Sequence, residues 1–284
     1  MAFRLSTLND RAILIKGDGV YDLERHSGGR FSSDPMQAIA RHGELHAVAA
    51  ALGDRTDAPL ASVELGICVP RPQKVFAIGL NYRDHAGESG MELPQNPLVF
   101  TKFPSCLTGP GADVVVWGPT TDWEAELVVV IGKRGRDIAA ADAWQAVAGL
   151  TCGQDISERM TQFAAKPPHF DLGKSYDTFG PIGPAIVSLD QFANPGDLAI
   201  SCDVNDTRRQ EARTSELIFD VPTLIAYISA ICTLEPGDLI FTGTPSGIGA
   251  TTSTFLKPGD TITTVIEGIG ALHNRCIDKT DWHD

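Results

Sequence analysis

Residues 123–131 read WEAELVVVI, in which two acids are followed by a run of aliphatic and β-branched side chains. Such a run predicts a buried β-strand. Because successive side chains of a strand alternate between its faces, Glu124 and Glu126 should share one face. Two carboxylates on one face repel each other unless a proton or a cation lies between them. A hard divalent cation such as Mg²⁺ or Mn²⁺ prefers oxygen ligands of this kind.

An acid-x-acid pair is a weak signal by itself. With 36 acids in 284 residues, about four or five such pairs arise by chance, and a solvated strand face explains one equally well. Residues 149–157, GLTCGQDIS, add a second apolar strand that ends in one acid, Asp155. Functional side chains are often placed where strands end. A third carboxylate there would complete a ligand set with open positions for water and substrate.

Two further segments carry groups suited to acid–base chemistry and to anion binding. His85 and Glu88 are three residues apart, so on one helical turn they would share a face. A carboxylate beside an imidazole orients it as a general base, although an ordinary surface pair is the commoner reason for this spacing. Arg159 and Gln162 follow Asp155 by four and seven residues, which predicts one side of a common helix.

Lys174 and a glycine-rich loop are the remaining candidates. Lys174 lies between Gly and Ser, a context in which lysine is usually a solvated loop residue. Residues 242–249, TGTPSGIG, follow a predicted strand at 239–241 and could present backbone N–H groups to an anion. The loop lacks the Lys-Ser/Thr pair of a phosphate-binding loop, and a tight turn explains it as well.

The order of structural signals predicts two domains. Short strands and a turn occupy residues 1–30, and a helix begins at Asp34-Pro35 and runs to residue 52. Residues 70–73 resemble a linker, so we place a small α+β domain at 1–69 and a larger domain at 70–284. Short strands dominate the larger domain, interrupted by helices at 139–148 and after Asp220, which favours a mixed β core over a doubly wound sheet.

Composition limits the kinds of partner. The net charge of −13 argues against nucleic acid and against a polybasic membrane surface. No apolar stretch reaches the 18 residues of a membrane span, and the N-terminus lacks a signal-peptide pattern. The six cysteines form no CxxC pair, which predicts buried free thiols and a reducing, cytoplasmic location.

Taken together and in order, five segments resemble the fumarylacetoacetate hydrolase family. The segments are GLNYRDHAGE, DWEAELVVVIG, GLTCGQDISERMTQ, LGKSYDTFGPIGP and PGDLIFTGTPSGIG, which span about residues 72–278. The resemblance implies a mainly β, α+β fold, in which a mixed, twisted β-sandwich or β-roll follows a small N-terminal α+β domain. It also implies a homodimer and a site for Mg²⁺ or Mn²⁺, with Ca²⁺ as a third option.

The resemblance also assigns roles to residues. It implies metal ligation by Glu124, Glu126 and Asp155. It implies catalytic roles for His85 and Glu88, which would activate water, and for Lys174, which would stabilise a developing anion. It implies substrate binding by Arg159, Gln162 and Thr244. Two positions depart from the commoner family pattern, namely Ser246 in place of Glu and Gln154 in place of Asn.

The implied activity is metal-dependent hydrolysis of a C–C bond in a small diketo acid, such as an acylpyruvate or a fumarylacetoacetate-like compound. The same scaffold also supports oxaloacetate-type decarboxylases, hydroxydienedioate isomerases and ureidoglycolate lyases, so these alternatives stay open. A non-enzymatic metal-binding protein is a more distant alternative. Residues 87–96, rich in Gly and Pro, are predicted to form a lid over the site.

Overall fold

The computed structural model describes residues 1–84 and 93–283. Within them strands dominate and helices are short. The first nine strands are β1 Arg4–Leu8, β2 Arg11–Lys16, β3 Gly19–Asp22, β4 Ala58–Pro59, β5 Val75–Gly79, β6 Leu98–Thr101, β7 Leu107–Thr108, β8 Val114–Val116 and β9 Thr121–Asp122. The other nine are β10 Ala125–Ile131, β11 Val147–Gln154, β12 Ser157–Glu158, β13 Gly180–Val187, β14 Ala199–Val204, β15 Thr207–Arg213, β16 Leu239–Phe241, β17 Thr261–Ile266 and β18 Gly270–Asp278.

The α-helices are short and lie between strands. They are α1 Leu23–His26, α2 Pro35–Ala40, α3 His42–Ala51, α4 Arg159–Gln162, α5 Phe170–Gly173, α6 Val221–Ile231 and α7 Gly249–Thr252. The 3₁₀ turns are Leu60–Ser62, Pro104–Cys106, Ala140–Ala146, Leu189–Gln191 and Thr214–Glu216.

Two large mixed sheets make up the core, as the fold prediction requires. One sheet runs in the order β4-β3-β2-β1-β13-β11-β10-β16-β5-β6, with β7 beside β13. The other runs β15-β14-β17-β18-β8. Strands β11 and β13 of the first sheet contact β17 and β18 of the second, so the two sheets pack face to face. The prediction of a mixed β-sandwich with few helices is confirmed.

Strand β10 lies near the middle of the first sheet, between β11 and β16. All seven of its residues are buried, because the sheet covers both of its edges and other elements cover both of its faces. A strand so enclosed holds its residues in a fixed register. The acid at its start is therefore placed by the core and not by a loop.

The helix predictions have mixed outcomes. The N-caps at Asp34 and Asp220 are confirmed, since each side chain accepts a backbone N–H in the first turn of its helix. The predicted 36–52 helix is two helices, because Arg41 leaves the helical conformation between them. The helix predicted at 139–148 is present but is shorter and of the 3₁₀ type. A 3₁₀ turn occupies Ala140–Ala146, and Val147 already pairs with Ile131 in the β10–β11 ladder.

The N-terminal residues extend the large sheet. Strands β2 and β3 confirm the predicted hairpin, and β1 pairs with β13 at Leu5 and Ile186. Strands from both sides of residue 70 share this sheet, and the domain boundary near that residue stays a prediction.

All six cysteines are free, and five of them are buried. No helix in the described part of the chain is long and apolar enough to cross a membrane.

Removal of the Asp220 cap should weaken α6 without changing the fold. The Asp220 carboxylate accepts the Thr223 N–H at 2.9 Å, so Asp220→Ala leaves that N–H unpaired. We expect a loss of about 1 kcal/mol in the free energy of unfolding, measured by urea denaturation. Asp220→Asn keeps the acceptor and serves as the control. Equal stability of the Ala variant and the wild type would show that the cap contributes nothing.

Candidate metal centre

The ends of two paired strands bring three acids together. Glu124 precedes β10, Glu126 lies within it, and Asp155 follows β11. The antiparallel ladder sets Glu126 opposite Gly153, and the Asp155 N–H donates to the Glu124 carbonyl at 2.9 Å. One oxygen from each of the three carboxylates lies within 4.8 Å of the others. The sheet therefore assembles the trio expected to bind the metal.

These carboxylates are removed from water and surrounded by cations. The exposed fractions are 7% for Glu124, 1% for Glu126 and 0% for Asp155. Lys174 Nζ lies 2.7 Å from both Glu124 Oε2 and Asp155 Oδ2, and it also donates to Ser157 Oγ at 2.8 Å. Lys174, which its sequence context suggested to be solvated, is therefore a buried member of the cluster.

Glu126 differs from the other two acids in its partners. In residues 1–84 and 93–283 no cation lies within ion-pair distance of it, and the Gly243 N–H donates to its Oε2 at 2.7 Å. Burial, and then the negative charges of Asp155 and Glu124, raise the pKa of Glu126 well above its usual value. A group in this environment binds either a proton or a metal cation. An all-oxygen donor set with surplus negative charge fits a hard divalent cation.

Lys102 belongs to the cluster although no sequence pattern marks it. Its side chain is completely buried, and Nζ donates to Asp155 Oδ1 at 2.8 Å and to the Lys174 carbonyl. Burial alone would lower the pKa of Lys102, but Asp155 and, with smaller contributions, Cys106 and Glu126 together outweigh burial and raise that pKa above its usual value. The residue therefore holds a permanent positive charge beside a proposed metal ligand. In sequence it is one lysine after a short strand, like any solvated lysine.

Asp122 is the second functional candidate that the sequence did not reveal. It is fully buried and holds Arg159, whose Nε lies 2.8 Å from Asp122 Oδ2. Asp122 also accepts the N–H groups of Gly249 and Ala250 at 2.7 and 2.9 Å. Strand β9 is thereby joined to α7 and to the guanidinium of Arg159. This guanidinium also contacts Glu124 Oε1 at 2.7 Å.

Arg159 and Gln162 lie on one helix, but Asp155 does not. Strand β12 separates Asp155 from α4, which begins at Arg159, so the predicted common helix is wrong. The cause is that Ser157 pairs with Asp122 in a two-stranded ladder, which keeps the chain extended after Asp155. Within α4, Arg159 Nη1 donates to Gln162 Oε1 at 2.9 Å. The amide NH₂ of Gln162 is thereby turned away from Arg159.

The glycine-rich loop presents a backbone N–H to an anion, and that anion is Glu126. Gly243 has φ of +102°, a conformation that disfavours other residues, and an added Cβ would lie 2.7 Å from Asn81 Cβ. In the same loop the Thr244 hydroxyl donates to the Ala125 carbonyl and accepts from Gln210 Nε2, both at 2.8 Å. Contact of Thr244 with a substrate stays a prediction.

A pocket of about 340 Å³ opens beside the cluster. Its polar lining includes Glu124, Arg159, Gln162, Lys174 and Thr244. The structure therefore brings together, around one cavity, the residues predicted to bind substrate and Lys174, for which a catalytic role is predicted. His85 and Glu88 lie outside the described residues, as does most of the predicted lid, so their roles stay predictions.

A family model decides the classification. The model described as "Fumarylacetoacetate (FAA) hydrolase C-terminal" matches residues 74–277. The chain belongs to the fumarylacetoacetate hydrolase family. The resemblance seen in the five sequence segments is thereby confirmed.

Three relatives show how closely the chain follows this family. The mitochondrial oxaloacetate tautomerase of Homo sapiens is 41% identical over 223 residues, which cover 77% of this chain and 71% of the relative. A solved structure from Mycobacterium smegmatis is 44% identical with a TM-score of 0.91, covering 97% of this chain and 99% of that chain. The maleylpyruvate hydrolase of Sphingobium sp. SYK-6, solved with manganese(II) and pyruvate, is 33% identical with a TM-score of 0.81 and the same two coverages.

Loss of one carboxylate should strongly weaken metal binding while the fold survives. We expect Glu126→Gln to weaken Mg²⁺ and Mn²⁺ binding by at least about 100-fold, because an anionic ligand is replaced by a neutral amide. Calorimetric titration of the chelated protein measures this. The exposed acid Glu211 supplies the control variant Glu211→Gln. Unchanged metal affinity in Glu126→Gln would exclude this site.

Lys102 should stabilise the metal-free protein. Lys102→Met leaves part of the Asp155 charge buried without its partner, although Lys174 still contacts the other oxygen. We expect a loss of about 3 kcal/mol in the free energy of unfolding. Urea denaturation after chelation measures it, with the exposed Lys279→Met as a control. If Lys102→Met is as stable as the control, the buried pair does not stabilise the fold.

Proposed function

We propose that the protein is a divalent-metal-dependent hydrolase that cleaves a C–C bond of a small 2,4-diketo acid. The observation that carries the proposal is the cluster of Glu124, Glu126 and Asp155, which opens on a pocket beside Lys174. Such a set suits a substrate that chelates through two oxygens and becomes an enolate when its bond is cleaved. The family supplies the general class of reaction, since its named members include enzymes acting on oxaloacetate and maleylpyruvate.

The residues of the chain would bind the substrate and stabilise the charge that develops on it. A bound metal would accept the oxygens of the 2-oxo acid and withdraw electron density from the bond to be cleaved. The ammonium of Lys174 is held by Glu124 and Asp155 on the wall of the pocket, where it would face negative charge in the transition state. Because these contacts fix its position in advance, little reorganisation is needed when the charge develops.

Arg159 and Gln162 would orient the substrate. Asp122 and Glu124 fix the guanidinium, and Arg159 in turn fixes the carbonyl oxygen of the Gln162 amide. The NH₂ group of that amide is a donor that can bind a substrate oxygen. A dyad of His85 and Glu88 would supply the activated water. That assignment rests on the family resemblance alone.

A second candidate is keto–enol tautomerisation of oxaloacetate. The observation in its favour is the 41% identity with the human oxaloacetate tautomerase, compared with 33% for the maleylpyruvate hydrolase. Both reactions develop negative charge on a substrate oxygen, so Lys174 and the carboxylates that would hold a metal would serve either. The two reactions differ in their other requirement, because hydrolysis needs water as a nucleophile and tautomerisation needs only proton transfer.

The assembly and location remain proposals. We expect a homodimer that binds a small keto acid in a cytoplasmic setting. The human relative is mitochondrial, and this does not transfer to the present chain.

Substitution of His85 should separate the two reactions. Hydrolysis depends on a general base for water, so we expect His85→Ala to slow acylpyruvate cleavage by about 10²–10⁴-fold while metal affinity stays unchanged. Turnover of an acylpyruvate is followed by loss of its ultraviolet absorbance, and oxaloacetate tautomerisation is measured in parallel. Glu88→Ala should have a smaller effect, because it orients the base and does not itself take the proton.

Lys174→Ala is the companion variant, and it should impair both reactions because each forms an enolate. Tautomerisation of oxaloacetate by a wild type that cleaves no acylpyruvate would replace the hydrolase proposal with the second candidate. Wild-type hydrolysis by His85→Ala would remove the dyad from the mechanism and leave the metal site standing.

A further inference from the structure

Three phenylalanines form a continuous wall that leads away from the charged cluster. Lys174 Nζ lies 5.2 Å from the centre of the Phe100 ring, so the wall begins at the catalytic ammonium. The Phe100 ring packs edge-to-face on Phe170 at 5.6 Å, and Phe170 packs likewise on Phe163 at 5.7 Å. All three rings line the 340 Å³ pocket. We call Phe100, Phe163 and Phe170 the aromatic wall.

Other parts of the pocket lining are apolar too. Ile78 and Ile248 line it, and both are buried. Gly79 lies beside them, and a Cβ there would be 3.0 Å from a Leu98 methyl and 3.7 Å from the Phe170 ring. A larger residue at position 79 would therefore crowd the wall. The cavity has a charged end at the carboxylates and an apolar end along the rings.

A dicarboxylic substrate would place its second carboxylate at the apolar end of the pocket. Among the described residues that line the pocket, no basic side chain lies at that end to pair with it. The basic side chains that line the pocket are Arg159 and Lys174, and both are bound to buried acids at the charged end. A carboxylate placed against the rings would lose its hydration without gaining a partner, which is costly. An alkyl or aryl group placed there would gain by leaving water.

We propose that the substrate is a monocarboxylic 2,4-diketo acid whose acyl group carries an uncharged, apolar tail, and that the aromatic wall binds this tail. The inference rests on the proposed function, because it takes the diketo head to lie at the metal. It adds the chemical class of the far end of the substrate. Phe100, Phe163 and Phe170 are specificity-determining residues and contact no reacting atom.

Unreactive 2-oxo acids test the tail separately from catalysis. Calorimetry on the Mg²⁺-loaded protein compares pyruvate, 2-oxohexanoate and 2-oxohexanedioate. The first two differ by three methylenes, and the last two differ by a terminal carboxylate at equal carbon number. Burial of a methylene strengthens binding about fourfold, so we expect 2-oxohexanoate to bind on the order of 50-fold more tightly than pyruvate. The dianion should lose most of this gain.

Variants of the wall locate the effect. Phe170→Ala should weaken 2-oxohexanoate binding by about tenfold and leave pyruvate binding unchanged, because the ring contacts only the tail. Phe163→Ala is a second variant that should preserve the fold, since 48% of Phe163 is exposed. Phe103, 47% exposed and absent from the pocket lining, provides the matched control Phe103→Ala.

The outcomes separate this inference from the proposed function. Pyruvate binding with no gain from the longer tail, or equal binding of 2-oxohexanedioate and 2-oxohexanoate, overturns the apolar-tail inference and leaves the metal site intact. Absence of binding by all three acids overturns both. A tail effect that survives unchanged in both wall variants, or that is lost equally in Phe103→Ala, overturns the assignment to the wall.

Discussion

The structure depends on holding four carboxylates out of water in one small volume. Burial of a lone carboxylate costs several kcal/mol, and neighbouring negative charges add to that cost. The chain offsets it with Lys102, Lys174 and Arg159, each within 2.8 Å of an acid. Glu126 has a backbone N–H and no described cation beside it, so burial and the neighbouring acids raise its pKa, and it would bind a proton or a metal cation. A buried acid of this kind destabilises a protein that binds no ligand, so its presence at Glu126 favours a binding site over a purely structural role.

The arrangement of the sheet follows from this requirement. Charges that balance one another at short range need fixed positions, so the acids lie on core strands or directly beside them. Strand β10, paired on both edges and buried throughout, meets that need for Glu126. The cations, by contrast, come from segments far away in sequence. Lys102 is 53 residues from Asp155, and Lys174 is 50 residues from Glu124. Only the folded chain brings these charges together.

This difference between local and distant features explains what the sequence could predict. Glu124, Glu126 and the Asp220 cap follow from local rules of spacing and position, and the structure places them accordingly. Lys102 and Asp122 could not be found, because their importance comes from partners across the fold and their local context is ordinary. The error at Asp155 has the same origin. Offsets of four and seven residues suit a helix, but pairing between Ser157 and Asp122 keeps this segment extended.

The same reasoning explains why the reaction is harder to derive than the site. Hydrolysis and tautomerisation both develop enolate charge on the substrate, so the residues of the proposed metal site carry little information about which reaction occurs. Residues farther from the proposed metal site carry more information, because they would contact the parts of the substrate that differ between the two reactions. In this chain those groups are the aromatic wall, which starts 5.2 Å from Lys174 and ends at the half-exposed Phe163. Oxaloacetate has only four carbons and a second carboxylate, so it would leave the wall empty. An acylpyruvate with an apolar tail would cover it, so on this physical ground the proposed substrate fits the pocket better than oxaloacetate does.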